Sequence, residues 1–252
     1  MEKPKVSIII RTKNEEKWLG KVLEKLYQQT FQDFEIIIID SGSTDKTLEI
    51  IEKFPVKLIR IKPEEFNYSY SLNLGILQSK GKFLCILSGH SLPTKNTWLA
   101  DGLKNFSDSQ VAGVTGPYTA LPDGSFSEKR GDFLDKLKKY IGMNYSGYDK
   151  REKIYYPLTN TNAIVRKDLW SQYPFDESLK EGCEDYDWSQ EMYSRGYKLI
   201  RDPKFAVLHS HGGLGRPVYQ ERESEWQRIC KFIDQRKRPH KSSSVLFSHK
   251  PC

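Results

Sequence analysis

Most of the motifs that would decide a function at a glance are missing from this sequence. Its 252 residues hold four cysteines, Cys85, Cys183, Cys230 and Cys252, far apart and without a CxxC pair. That spacing gives neither a disulfide framework nor a cysteine zinc site, so a reduced, cytoplasmic chain is expected. No apolar stretch approaches the roughly 20 residues of a membrane span. The opening Met-Glu-Lys-Pro-Lys leads straight into an apolar run, and no signal peptide is expected. There is no G-x-G-x-x-G and no G-x-x-x-x-G-K-[ST], which removes the dinucleotide fingerprint and the P-loop. The net charge of +7 is compatible with nucleic acid, an anionic membrane or a phosphorylated small molecule. No recognition helix, zinc finger or RNP-like strand supports the first, so no nucleic-acid partner is expected.

What the chain does contain is a series of short apolar runs that end abruptly in polar residues. Phe83 to Leu87 stops at Ser88-Gly89-His90, Val6 to Ile10 at Arg11-Thr12-Lys13-Asn14-Glu15, and Phe34 to Ile39 at Asp40-Ser41-Gly42-Ser43-Thr44-Asp45. Continuous apolar runs bounded by turn residues suit strands covered on both faces. Between them, Leu19, Val22, Leu23, Leu26 and Tyr27 recur at helical spacing, with Thr12 or Asn14 as candidate caps. A helix over Leu48 to Ile51, a strand over Val56 to Ile61 and a helix over Ser71 to Gln78 complete a β-α-β-α-β-α-β alternation. The fold class is therefore α/β, with a Rossmann-like, mostly parallel sheet flanked by helices.

Beyond Trp98 the pattern is less regular. Short strands are expected at Val111 to Val114, Thr161 to Val165, Lys198 to Ile200 and Phe205 to Leu208, a turn or helix from Asp168 and a helix over Asp185 to Gly196. The division expected is one domain over residues 1–235, with a nucleotide-binding half (1–100) and a smaller acceptor-side half (101–235). A basic, flexible tail is expected over 236–252. Gly116 to Tyr156 reads as a mobile flap containing one amphipathic piece, Phe133 to Tyr140. From Arg228 onward seven Lys or Arg stand against one Asp. Such an end is either a solvated tail or a peripheral contact with anionic lipid heads.

Three clusters can carry chemistry. Ligands of open α/β sheets gather outside the carboxyl ends of the strands, where Thr12 to Glu16, Asp40 to Asp45 and Ser88 to Pro93 would converge. Asp40 could accept hydrogen bonds from a base or a ribose, or could merely cap the next helix. Glu184-Asp185-Tyr186-Asp187 has more carboxylates than capping a helix requires, and one of them near another could reach a pKa suited to general base work. In His209-Ser210-His211 both imidazoles of a strand would share a face and could share a metal, the more so with His90 nearby. Tyr118, Tyr145, Tyr148, Tyr155, Tyr156 and Trp188 are candidates for stacking on sugar rings or for the core. Asn160-Thr161-Asn162, before a strand, could face an acceptor cleft.

In order along the chain, Val6 to Glu15, Ile39-Asp40-Ser41-Gly42-Ser43-Thr44-Asp45, Leu72-Asn73-Leu74-Gly75, the Gly81 turn and Glu184-Asp185 resemble the signatures of family 2 glycosyltransferases, which have the GT-A fold. The resemblance runs from Val6 to about Leu214. It implies transfer of a sugar, with inversion, from a nucleotide-sugar (UDP-, dTDP- or GDP-linked) to a hydroxyl of a glycan or lipid-linked acceptor in cell-surface polysaccharide synthesis. It implies that Thr12, Asn14 and Glu15 flank the base and ribose, that Asp40 binds the base and that Asn73, Ser88 and His90 belong to the donor site. Asp185 would be the general base, supported by Glu184.

One signature departs from the family pattern. Where most members have a D-x-D that holds a divalent metal, this chain has Ser88-Gly89-His90. It is more similar to a branch with Ser-x-His-x-x-Pro there and His-Ser-His near the end, associated with rhamnosyl and other bacterial surface-glycan transfer. Two readings follow. In one, His90 with His211 or His209 ligates Mn or Mg. In the other, no metal binds and Arg11, Lys13, Arg216 or a protonated histidine neutralises the diphosphate. A catalytically inactive nucleotide-sugar or glycan-binding module is the alternative of a different class.

Overall fold

The computed structural model describes residues 3–125, 129, 157–180, 182–210 and 216–236, with only the backbone of 216–223. The expected flap beyond residue 125, the amphipathic piece over 133–140, His211 and the tail from 237 lie almost wholly outside the described residues.

A seven-stranded sheet runs in the order β3-β2-β1-β4-β8-β6-β9. β1 (Val6–Thr12) lies between β2 (Phe34–Asp40) and β4 (Phe83–Ser88), both parallel to it, and β3 (Lys57–Arg60) extends β2. β8 (Asn162–Arg166) is antiparallel to both neighbours, β4 and β6 (Val111–Thr115), and β9 (Lys198–Arg201) runs parallel to β6. A small second sheet joins β5 (Leu92–Pro93), β10 (Val207–Leu208) and β7 (Tyr118–Thr119).

The apolar runs follow from two-sided burial. Successive side chains of a strand point to opposite faces. Ile8 and Ile10 of β1 and Ile36 and Ile38 of β2 join one core cluster, under α1 (Leu19–Tyr27) and α4 (Trp98–Lys104). Ile9, Ile37 and Ile39 join the other, under α3 (Tyr68–Leu77), α5 (Lys167–Gln172) and α6 (Glu184–Ser194). In α1, Leu19, Val22, Leu23 and Leu26 are fully buried, each worth about 1.5–3 kcal/mol of transfer free energy. α3 lies so close to the sheet that a Cβ on Gly75 would come within 2.5 Å of Ile39 Cδ1. Gly75 thus sets the depth at which α3 docks.

Several boundaries differ from expectation. Neither Thr12 nor Asn14 caps α1: the helix begins at Leu19 behind Trp18, with no side-chain cap. Asn14 is instead left-handed, with its side chain turned to the neighbouring loop. α3 begins three residues earlier than Ser71, because Asn67 Oδ1 accepts the Ser69 and Tyr70 N–H groups. Between β2 and β3 stands the short α2 (Thr47–Ile51). The chain end from Arg228 is not all tail. A twenty-residue helix, α7 (Arg216–Gln235), docks on α6 through Ile233, Tyr186 and Leu179. Tyr186 Oη donates to Asp234 Oδ1 at 2.9 Å, and Arg236 Nη1 donates to Asp176 Oδ2 at 2.7 Å and Asp187 Oδ1 at 3.1 Å. The spacing of Trp226, Ile229 and Ile233 was the available signal.

Candidate active site

The registers Thr12↔Asp40 and Arg11↔Ser88 bring the tips of β2, β1 and β4 side by side. β8 pairs Asn162 with Leu87, so its entry, Asn160-Thr161, arrives at the same end of the sheet. Asn160 then ties in the head of α6. The four segments are far apart in sequence, and the sheet topology alone makes them neighbours.

The first two tips are fastened to each other. Asp40 is fully buried. Its Oδ1 accepts the Gly42 and Ser43 N–H groups at 3.1 and 3.0 Å, and its Oδ2 accepts Ser43 Oγ and, at 3.2 Å, Thr12 Oγ1. Asn14 N–H donates to Ser43 Oγ, and Asn14 Oδ1 accepts Thr44 N–H at 2.8 Å. Glu15 and Glu16 N–H groups donate to Thr47 Oγ1 and Asp45 Oδ2. Asp40 does not cap α2, which starts at Thr47 behind Lys46 without a side-chain cap; its carboxylate instead closes the turn that follows β2. Its four hydrogen bonds all stay within the two loops.

Glu15, expected to flank the base and ribose, turns its carboxylate to the tip of β4. Its Oε1 lies 2.7 Å from His90 Nδ1. Ser88 Oγ stands 3.4 Å from both nitrogens of that ring. His90 stacks on buried His209, with ring centres 4.5 Å apart and planes at 20°. His209 Nδ1 lies 3.0 Å from Ser91 Oγ, and exposed Tyr118 meets the His209 ring edge-on. A histidine tied to a carboxylate through one nitrogen is the usual surrounding of a metal-ligating imidazole. Two stacked rings, however, keep their nitrogen lone pairs in nearly parallel planes, which does not suit joint ligation of one ion. Among the described residues no three His, Cys, Asp or Glu side chains gather as a metal site would require. These residues do not make up a metal centre on their own, and His211 lies outside the described residues.

The Asn73 side chain is engaged within the fold. Its Nδ2 donates to Phe175 O at 2.8 Å and to Glu177 Oε1 at 2.9 Å, and its Oδ1 accepts Trp170 Nε1 at 3.2 Å. It holds α3 to the end of α5. Trp188 is likewise wholly core. Tyr145, Tyr148, Tyr155 and Tyr156 are outside the described residues.

The head of α6 is built on an unusual turn. Gly182 has φ +103° and Cys183 φ +66°, two left-handed residues in a row. A non-glycine residue adopts that region only where its surroundings enforce it. The turn directs Glu184 and Asp185 toward the strand tips, while buried Asp187 faces Tyr173 and Arg236 and serves the packing. Glu184, also buried, accepts Asn160 Nδ2 at 3.0 Å and Arg11 Nη1 at 3.3 Å. Arg11 is itself held by Tyr68 O at 2.8 Å and lies 5.0 Å from the centre of the Tyr68 ring.

Asp185, partly exposed, accepts Asn160 N–H at 2.9 Å on Oδ2 and its neighbour Tyr186 N–H at 2.8 Å on Oδ1. Burial, and then the Glu184 carboxylate beside it, push its pKa up to about 7, against the two N–H donors and the more distant Arg11. A carboxylate tuned to near neutrality is suited to take a proton from a hydroxyl. Asn160 Oδ1 is buried beside this pair without a hydrogen-bond partner. Tyr68 and Trp226 went unnoticed in the sequence. Trp226 Nε1 stands 3.6 Å from where a Cβ on Gly182 would lie, so this helical residue borders the turn.

A family model described as "Glycosyl transferase family 2" matches residues 7–173. The dolichyl N-acetyl-alpha-D-glucosaminyl phosphate 3-beta-D-2,3-diacetamido-2,3-dideoxy-beta-D-glucuronosyltransferase of Methanococcus voltae is 27% identical over 220 residues, covering 79% of this chain and 64% of that protein. The O-antigen chain rhamnosyltransferase of Salmonella typhimurium is 25% identical over 223 residues, covering 86% of this chain and 69% of that protein. Among solved structures, a mannosyltransferase from Pyrobaculum calidifontis in complex with GDP-Man and Mn2+ superposes with a TM-score of 0.71 at 21% identity, covering 95% of this chain and 67% of that one. TarS 1–349 of S. aureus in complex with UDP-GlcNAc superposes with a TM-score of 0.62 at 19% identity, covering 91% and 66%. The architecture is the GT-A fold of these neighbours. The chain spans 64% of the Methanococcus protein's length.

Proposed function

This chain belongs to glycosyl transferase family 2, and we propose that it moves a sugar from a nucleotide-sugar to an acceptor hydroxyl by a single inverting displacement. The nucleotide lies along the tips of β1, β2 and β4. The loop pair 12–16 and 40–47 supplies a rigid edge for base and ribose, with Asp40 acting through the loop it shapes. The diphosphate sits over Ser88 to His90, where the His90 and His209 rings face its oxygens. Asp185 takes the proton from the acceptor hydroxyl as that oxygen attacks the anomeric carbon and the nucleoside diphosphate departs. Opposed placement of base and leaving group suits a one-step reaction without a covalent intermediate.

Glu184 keeps the Asp185 proton affinity high, while Arg11 and Asn160 hold Glu184 in place. The observation that carries this reading is the placement of Asp185 beside Glu184 at the head of α6, with both acids tied to Asn160 at the end of the sheet where the strand tips meet, and burial with the Glu184 charge raises the Asp185 pKa. A site that only bound a nucleotide-sugar would gain nothing from that tuning. The acceptor is a glycan or lipid-linked hydroxyl of a surface polysaccharide, by analogy with the O-antigen and dolichyl-phosphate relatives. Among the described residues no helix is long and apolar enough to cross a membrane. Any lipid-surface contact would fall to the basic end of the chain.

Thermal melts with a panel of UDP-, GDP- and dTDP-sugars, each with and without Mn, test the donor half. One donor present at 100 times its Kd should add about 2.7 kcal/mol of stability. No shift with any nucleotide-sugar would contradict the proposal.

A further inference from the structure

Two cysteines that the proposed reaction does not use meet beside its base. Cys183 is the residue before Glu184, in the left-handed turn that opens α6. Its Sγ lies 3.9 Å from Cys230 Sγ on α7, and both are reduced and only partly buried. They share one small cluster with Leu179, Tyr186, Ile229 and Ile233, the packing that seats α7 on α6. The thiol contact, with Trp226 beside it, is thus where the C-terminal helix touches the catalytic turn.

We propose that Cys183 and Cys230 are a reversible oxidation site for small disulfides of the glutathione class, and that closing it lowers sugar transfer. The lowered activity rests on the function proposed above, whereas formation of the bond does not. In the first step the Cys230 thiolate attacks the small disulfide. Its S–S bond breaks, a mixed disulfide forms on Cys230, and one small thiolate leaves and takes up the proton Cys230 gave up. In the second, the Cys183 thiolate attacks the Cys230 sulfur, the mixed bond breaks and the second small thiol leaves. The two cysteines lose two electrons, and one small disulfide becomes two thiols.

The local chemistry favours Cys230 as the attacking sulfur. Its hydrogen bond with Cys183 holds its pKa below the usual thiol range. Cys85, by contrast, is fully buried in β4, and burial pushes its thiol pKa up, which keeps it out of the exchange. An S–S bond of about 2.05 Å requires the sulfurs to close from their present contact. The turn absorbs that movement poorly. Gly182 and Cys183 are both already left-handed, and Cys183 O accepts the Asp187 N–H at 3.0 Å within the first turn of α6. Displacement therefore passes to Glu184 and Asp185. A shift of about 1 Å at a catalytic group can cost on the order of a hundredfold in rate.

The test equilibrates the full chain with glutathione buffers of increasing oxidation, quenches the thiols, and maps the linkages by peptide mass spectrometry beside a transfer assay. The expected result is a 183–230 linkage, reversed by dithiothreitol, with at least about a tenfold loss of transfer in the oxidised form. Cys230→Ser should keep the reduced-state rate within about twofold and lose the response to oxidant. The proposal is overturned if no 183–230 linkage forms, if the linked protein transfers at the reduced rate, or if Cys230→Ser is inhibited as strongly as the wild type. A reduced protein that binds no nucleotide-sugar would instead refute the transferase reading, and the linkage map would still decide whether the oxidation site exists.

Discussion

The two acidic turns of this molecule, Asp40 to Asp45 and Glu184 to Asp187, look alike in sequence and surround their carboxylates differently. Asp40 is saturated, with four donors from its own loop and from Thr12 around one buried carboxylate. Asp185 receives two backbone N–H groups and stands beside a second acid, and its pKa rises to about 7. In the proposed mechanism the filled carboxylate acts as scaffold, and the underfilled one, crowded by like charge, acts as the base. The number and direction of donors separate the two, and neither is written in the local sequence.

Asp185→Asn is the largest test of that contrast. It keeps the shape and removes the base, so kcat should fall by about 10²–10⁴ with donor affinity nearly unchanged, measured by transfer rate and nucleotide titration. Full turnover would remove the distinction altogether. Asp40→Ala should do the reverse on stability. It strands buried donors, so denaturant unfolding should show a loss of about 2–4 kcal/mol, and weaker nucleotide binding should follow from the loosened loop. A stable Asp40→Ala protein with a normal loop would show that Asp40 is not scaffold.

Asn73→Ala sharpens the boundary of the site. Removing three hydrogen bonds in the α3–α5 staple should cost about 1–3 kcal/mol, read by the same unfolding, while the KM for donor stays at the wild-type value. A raised KM would return Asn73 to the donor pocket. The smallest effect is expected from Arg11→Ala. Arg11 favours the ionised form of Asp185, so its removal should move the acidic limb of the pH–rate profile toward higher pH. A shift toward lower pH would mean that the limb belongs to another group.

Much of the N-terminal half was legible because its strands are buried on both faces and therefore read as unbroken apolar runs, each ending where the polar tip begins. Asp185 was legible as an excess of carboxylates at one helix start. The pairings were not. Glu15 with His90, Arg11 with Glu184 and Asn160 with both acids join residues from different segments, brought together by strand order and by the antiparallel β8. The partners of Asn73 were not legible either, because a motif position does not say which way a helical side chain faces. α7 was missed because its last turns were read together with the basic end of the chain, although Trp226, Ile229 and Ile233 marked an apolar stripe. The adjacency of Cys183 and Cys230 is a product of that helix docking, so no spacing in the sequence announced it.

The pH dependence of kcat/KM for transfer, with donor and acceptor both below saturation, tests the central claim most directly. The base must be ionised to accept the proton, so the rate should be level above about pH 7 and fall tenfold per unit below it, as Asp185 takes up a proton. A rate that stays level down to the ordinary carboxylate range would contradict the assignment of Asp185 as the tuned base.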